Sequence, residues 1–405
     1  MQISETRWVN PSILKWARER LNLTPEQVAE EARKLRRHYY APVSAQELAQ
    51  WEKGLSEPEL EHLETLSEIY LCPVGYFFLD STPQEPLPLS FRGLAREKAA
   101  SLSPTTHRTL RRFHDLAQWT VDFIESLSIP WEVKVRPGEY APDLSLVNRL
   151  VQEKREYFGW TKELQSRFEG DREEAFRWWR KAIENEGIFC FAMKLEPSEV
   201  RGASLWIGSR FPFILVNRQD AEAASGRIFT LLHEYAHLIT AKEGLVCDFR
   251  GLQADKNPEP FANRFAARML LSPEELSQRL KEIGYDRPRE TWSDRVLDEI
   301  CEPFIVSRDV VAIMLQEMGL APADFYERKR QQWERRWEKR KPWGRGGGRP
   351  TKKELKFREL GYSLTKLLAQ HSKRPSFPWL DVSYVLDMKI KKAADFIQWV
   401  RETKL

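Results

Sequence analysis

The sequence predicts a mainly helical α+β chain built from more than one domain. Three observations predict it. Apolar residues recur at helical spacing along most of the chain. Three short runs, residues 187–193, 203–207 and 213–216, are rich in branched or aromatic residues and read as strands. Two stretches, residues 82–95 with three prolines and the sequence WGRGGGRP at 343–350, cannot hold regular structure and read as linkers. A chain of 405 residues is also long for a single domain.

The first 80 residues read as an all-α domain. A helix over 11–21 places Ile13, Leu14, Ala17 and Leu21 on one face. Thr24 caps the next, with Pro25 at its first position and Gln27 completing a capping box. Ser44 and Glu47 repeat the box for a third helix, whose apolar side is Leu48 and Trp51 and whose stop is Gly54. A fourth helix covers 57–70 and a short fifth 73–78. A linker with Pro83, Pro86 and Pro88 follows over 81–104. Residues 105–327 form the main domain: helices to about 185, the three strands, then helices over 227–240 and 259–271. A basic linker over 328–353 leads to a helical C-terminal module over 354–405.

Hydrophobic residues make up 41% and charged residues 31%, the balance of a soluble protein with charged connectors. No run approaches the roughly 20 apolar residues that span a bilayer. The N-terminal MQISETRWVN lacks the apolar core of a signal peptide. A cytoplasmic chain without a membrane partner is expected. Cys72, Cys190, Cys247 and Cys301 are far apart, which predicts reduced thiols and argues against a cysteine zinc site. The net charge of +4 conceals an asymmetry: residues 328–353 hold twelve Lys/Arg and two Glu, a net of +10, leaving −6 elsewhere.

The segment that carries chemistry is His233-Glu234-Tyr235-Ala236-His237. Histidines four apart on a helix project from one face, and two imidazoles so placed can hold one Zn²⁺. Glu234 lies beside them as a candidate general base. Ile228, Phe229, Leu231, Leu232, Ala236, Leu238 and Ile239 make the helix apolar almost all round, hence buried. A buried His-Glu-x-x-His needs partners for its polar groups, and a metal supplies them. An apolar edge strand beside such a helix would suit an extended peptide. Candidates for a third ligand are Asp248, Asp255, Glu259, Glu274 and Glu275. Glu259 is favoured, because it opens a helix with Pro260 in the first turn and Ala and Phe positions suited to close packing.

Residues 202–273 resemble the ImmA/IrrE family of metallopeptidases. The resemblance rests on Phe213-Ile214-Leu215-Val216-Asn217, on Arg227 through His237, and on Glu259-Pro260-Phe261-Ala262-Asn263-Arg264-Phe265-Ala266-Ala267 running on to Pro273. It implies a zincin-like domain with a small sheet, Zn²⁺ held by His233, His237 and Glu259, and Glu234 as the base. Tyr235-Ala236 departs from the more frequent Leu-Gly. The resemblance also implies action on a repressor protein, often one encoded nearby.

Residues 11–80 resemble an XRE-type helix-turn-helix domain, through Ala17-Arg18-Glu19, Leu23 to Ala29, Leu48 to Gly54, Pro58 and Tyr76-Phe77-Phe78-Leu79. That implies double-stranded DNA as a partner, with Ala45, Gln46, Gln50 and Lys53 on the helix facing the major groove. Arg36, Arg37 and His38 are candidate phosphate contacts. Two features depart from the pattern. The segment 34–43 is longer than the usual turn, and residues 55–68 carry five Glu and no Lys or Arg. The alternative is a helical domain that docks a protein or pairs as a homodimer.

Trp333, Trp337 and Trp343, interleaved with the basic residues of 328–353, read either as a nucleic-acid contact or as a solvated charged helix. The tail, with Tyr362-Ser363-Leu364 and Val382 through Leu386, resembles C-terminal extensions of long family members, some encoded beside PIN-like ribonuclease toxins. The functional expectation is a DNA-binding regulatory zinc metalloendopeptidase that cleaves a specific partner such as a repressor. The alternative is an antitoxin or transcriptional regulator that binds DNA and a partner toxin, its catalysis secondary or lost.

Overall fold

The computed structural model describes residues 8–21, 23–35, 41–83, 102–168, 171–196, 200–218, 224–240, 245–247, 259–337 and 350–403. The chain divides into two compact units, Met1–Arg112 and Phe113–Leu405.

The first unit holds α1 (Pro11–Glu19), α2 (Pro25–Lys34), α3 (Ala45–Glu52), α4 (Leu60–Tyr70) and a 3₁₀ turn over Val74–Phe78. Both expected capping boxes form. Thr24 Oγ1 accepts from the Gln27 backbone N–H, and Ser44 Oγ accepts from that of Glu47. Gly54 has φ 68°, the left-handed conformation that ends α3 where the sequence places a stop. The fourth helix begins at Leu60 rather than 57, because Pro58 disfavours helical geometry at the residue before it. Ile13, Leu14, Val28, Leu48, Leu66 and Phe77 make the core. A bidentate pair at 2.7 and 2.8 Å, Arg18 with Glu52, ties α1 to α3.

The second unit continues from α5 (Pro104–Ser126), which contains the boundary, through α6 (Val147–Phe158), α7 (Lys162–Arg167) and α8 (Arg172–Glu184). Next come β1 (Phe189–Met193), β2 (Gly202–Ile207), β3 (Phe211–Asn217), α9 (Ala224–Thr240) and β4 (Leu245–Cys247). Helices α10 (Glu259–Leu270), α11 (Pro273–Glu282), α12 (Asp294–Cys301), α13 (Arg308–Glu317) and α14 (Phe325–Trp337) follow. The described chain closes with α15 (Lys352–His371), α16 (Trp379–Leu386) and α17 (Ile390–Glu402).

The sheet runs β1-β3-β2-β4. β1 and β3 are parallel, with Phe189 opposite Phe213, and β2 is antiparallel to β3, with Gly202 opposite Val216. Every residue of β1 and β3 is buried, which is why both read as continuous apolar runs rather than alternating ones. The two strands against which α9 packs, β2 and β3, are both internal to the sheet, so neither is the edge strand that would suit an extended peptide. β3 has a partner on each side and no free ladder for a peptide. Among the described residues the edges are β1 and the three-residue β4, which pairs with β2 and has too little pattern to be seen in sequence.

Helix α9 packs across β2 and β3 and against α8 and α10. Helix α15 packs on β1 and bends at Gly361, whose φ is 81°. The basic segment is partly structural. Trp333 is buried and donates its indole N–H to Asp294 at 3.3 Å, and Lys329 reaches the same carboxylate at 2.7 Å. Trp333 is thus withdrawn from the nucleic-acid contact considered for it. The Trp337 side chain and Trp343 lie outside the described residues. Cys72, Cys190 and Cys301 are buried and unbridged. Among the described residues, no helix is long and apolar enough to cross a membrane.

Candidate metal centre

Helix α9 is apolar on every side, so its polar residues are carried into the interior. His233 and Glu234 have no exposed surface and His237 is 1% exposed. The helical turn brings the two Nε2 atoms to 3.0 Å. Glu259 enters from the first turn of α10, which packs along α9 through Phe261, Ala262 and Phe265. Its Oε2 lies 3.3 Å from His233 Nε2 and its Oε1 3.4 Å from His237 Nε2.

These separations test whether the residues fit a metal. Tetrahedral ligands at about 2.0–2.1 Å from one Zn²⁺ are about 3.3 Å apart along each edge. The observed distances of 3.0, 3.3 and 3.4 Å match that edge. His233, His237 and Glu259 are a group that could hold a metal ion, with donor types suited to zinc.

The electrostatics agree with a tightly coupled triad. Burial disfavours the charged ring of His233 and holds it below its ordinary value, against the pull of Glu259. Burial also opposes charge on His237, but the hydrogen bond and charge of Glu259, with Glu234 beyond, outweigh it and hold the ring above its ordinary value. Burial pushes the Glu259 carboxyl up, yet hydrogen bonds from both histidines overcome this and set it well below the usual carboxylate range.

Of the other third-ligand candidates, the two that are described, Glu274 and Glu275, are not in the cluster. Glu275 is held bidentately by Arg155 at 2.8 and 3.1 Å and accepts from the Ser272 backbone as a cap. Glu274 occupies the first turn of α11, away from the His-His-Glu group. Asp248 and Asp255 lie outside the described residues. Tyr235 points away from the histidines, as its helix position requires, and donates its hydroxyl to Glu186 at 2.6 Å. Its ring packs on Phe158 and Phe265. The Tyr at this position is thus a core residue that joins α9 to α6 and α10.

Two residues that sequence reasoning did not single out border the centre. Asn263 lies one turn after Glu259, and its side chain interacts with the His233 ring. Its spacing of four from Glu259 was the available signal. Gly202, at the start of β2, abuts Glu234.

In the first unit, Gln46 and Gln50 are exposed on α3 one turn apart, Lys53 is exposed as its C-cap residue, and Ala45 is half-buried. Glu52 on the same helix is taken by Arg18. Arg36, Arg37 and His38 lie outside the described residues.

Residues 183–316 match the Peptidase_M78 family model, described as the IrrE N-terminal-like domain. The second unit carries an IrrE N-terminal-like peptidase domain. Residues 14–77 match a helix-turn-helix family model, so this peptidase-family domain shares its chain with a DNA-binding type of module. No curated protein and no solved structure matches the chain. The IrrE-like domain spans β1 to α13, so both the histidine helix α9 and the Glu259 helix α10 fall inside it.

Proposed function

We propose that this protein is a regulatory zinc metalloendopeptidase that binds DNA through its first unit and cleaves one specific partner protein, such as a repressor, through its second. The convergence of His233 Nε2, His237 Nε2 and the Glu259 carboxylate at tetrahedral-edge distances carries the reading. Zn²⁺ held there would supply Lewis-acid polarisation of the scissile carbonyl.

The chain's own residues do the rest. His233, His237 and Glu259 would hold the ion, and the burial of both histidines keeps bulk water from the ligands. Glu234 accepts a proton from the attacking water and returns it to the leaving amine. Its complete burial strengthens every charge interaction it makes. Gln46, Gln50 and Lys53 would meet a DNA duplex, giving location, while the peptidase domain gives the cut.

The test is a cleavage assay against the protein products of adjacent genes, with Glu234→Gln as control. Cleavage by the wild type and its loss, by about 10²-fold or more, in Glu234→Gln supports the reading. A Glu234→Gln chain that inactivates or neutralises the partner as fully as the wild type contradicts it.

A further inference from the structure

Gly202 is buried at the start of β2, between Val216 on β3 and Cys247 on β4. Its backbone does not ask for glycine, since Gly202 is not among the residues with positive φ. The space around it does. A β-carbon placed there would lie 2.6 Å from Thr230 Cγ2, 2.8 Å from Glu234 Oε1 and 3.0 Å from Glu234 Cγ. All three atoms belong to α9 and to residues one helical turn apart.

The rest of the strand shows why. Alternate residues of a strand share a face, so Gly202, Ser204 and Trp206 point the same way. Trp206 donates its indole N–H to the Leu238 carbonyl of α9 at 3.1 Å, which fixes that face toward the helix. Side-chain size therefore rises along β2 from glycine to serine to tryptophan. Thr230 and Glu234 of the helix crowd the bare backbone at Gly202, and one turn after Glu234 the Trp206 indole meets the helix at Leu238. The small end of the strand thus coincides with Glu234. His233 and His237 meet α10 instead, through Glu259. One helix thus presents its histidines to one neighbour and its glutamate to another.

We propose that Gly202 is a positioning residue for Glu234: the missing side chain forms a notch in β2 that sets where the carboxyl sits relative to the His233–His237–Glu259 group. The inference rests on the proposed peptidase reading of the site and deepens it. The atoms nearest a β-carbon at Gly202 belong to Thr230 and Glu234 and not to His233, His237 or Glu259, so a methyl group there displaces the carboxyl and leaves the three metal-binding side chains with their partners.

The experiment uses the full chain as wild type, Gly202→Ala, Glu234→Gln and the double variant. Two quantities are read: Zn²⁺ affinity by competition with a chelating dye, and acetohydroxamate affinity of the zinc-loaded protein. Besides binding the metal, acetohydroxamate donates a hydrogen bond to a carboxylate beside it. The expected result is a Zn²⁺ affinity for Gly202→Ala close to that of wild type. Its acetohydroxamate affinity falls about tenfold, as in Glu234→Gln, the loss of one hydrogen bond to a charged group. The double variant is no weaker than Glu234→Gln alone, because both changes remove the same interaction. Wild-type hydroxamate affinity in Gly202→Ala overturns the inference, as does a double variant in which the two losses add. A wild-type chain that takes up no Zn²⁺ overturns the peptidase reading and this inference with it. If Gly202→Ala does not fold, the same measurements are made with Thr230→Ala added, which removes the atom nearest the new methyl group.

Discussion

The carboxylate of Glu184 accepts a hydrogen bond from the backbone N–H of Tyr362 at 3.1 Å, across 178 residues of sequence. Ser363 N–H adds a second at 3.3 Å. Beside them the Arg180 guanidinium donates to the carbonyls of Cys190 on β1 and Arg358 on α15. The C-terminal helices are therefore fastened to the sheet edge by a buried polar cluster that also satisfies an edge carbonyl. Gly361 makes this approach feasible. Its φ of 81° is strained for any other residue, and a β-carbon there would collide with Glu184 Oε1, the Cys190 carbonyl and Arg180 Nη2. Gly361→Ala should destabilise the second unit by about 2 kcal/mol or more, read by chemical denaturation. An unchanged midpoint would show that α15 is not held through this contact.

Glu184 also predicts a pH dependence. Burial raises its carboxyl to about 7, against the opposing pull of Arg180 and the Tyr362 and Ser363 N–H groups. In the unfolded chain the same group titrates near the ordinary glutamate value of about 4.3. Between those values the folded state holds more protons than the unfolded one, so this contribution to stability falls as pH rises. It is fully present below the unfolded pKa and lost above about 7. Glu184→Gln should remove that slope, gaining on the wild type as pH moves from 5 to 8. The comparison is made by thermal unfolding at several pH values, and parallel curves would contradict it.

The first unit makes a prediction that needs only selected DNA. Against a duplex chosen from random sequence by the wild-type protein, Gln46→Ala and Gln50→Ala should each cost about 1–3 kcal/mol of binding. Lys53→Ala should weaken binding to all sequences alike and lower the salt slope by about 1. Wild-type affinity in all three would favour the protein-docking alternative for this domain.

Much of this architecture is legible in sequence where the signal is local. Thr24 with Gln27 and Ser44 with Glu47 announce helix starts because the cap and its partner are three residues apart. His233, His237 and Glu259 are legible because a helix period and a helix start place them. What is not legible depends on distant residues meeting. Gly202 is one glycine among 19 until α9 lies against it. Glu184 and Tyr362 carry no periodic mark of each other. Trp333 stands among arginines and lysines in a segment whose charge hides a buried ring, and only Asp294 on α12 explains its place. β3 reads correctly as a strand, but its internal position depends on β1 and β2 flanking it.

Metal binding should compete with protons. His237, held above its ordinary value chiefly by Glu259 against burial, must release its proton to act as a ligand. Zn²⁺ affinity should therefore fall as pH drops through the histidine range, and Zn²⁺ at about 100 times its Kd should stabilise the fold by about 2.7 kcal/mol. Calorimetry at pH 5.5 and 7.5 checks both. An affinity independent of pH would exclude these histidines as ligands.

The most direct test of the central claim is elemental analysis of the protein purified without chelators. One zinc per chain is expected in the wild type and in Glu234→Gln, and none in His233→Ala, His237→Ala or Glu259→Gln. A wild-type chain with no stoichiometric metal, or the same zinc content after the histidines are removed, would contradict it.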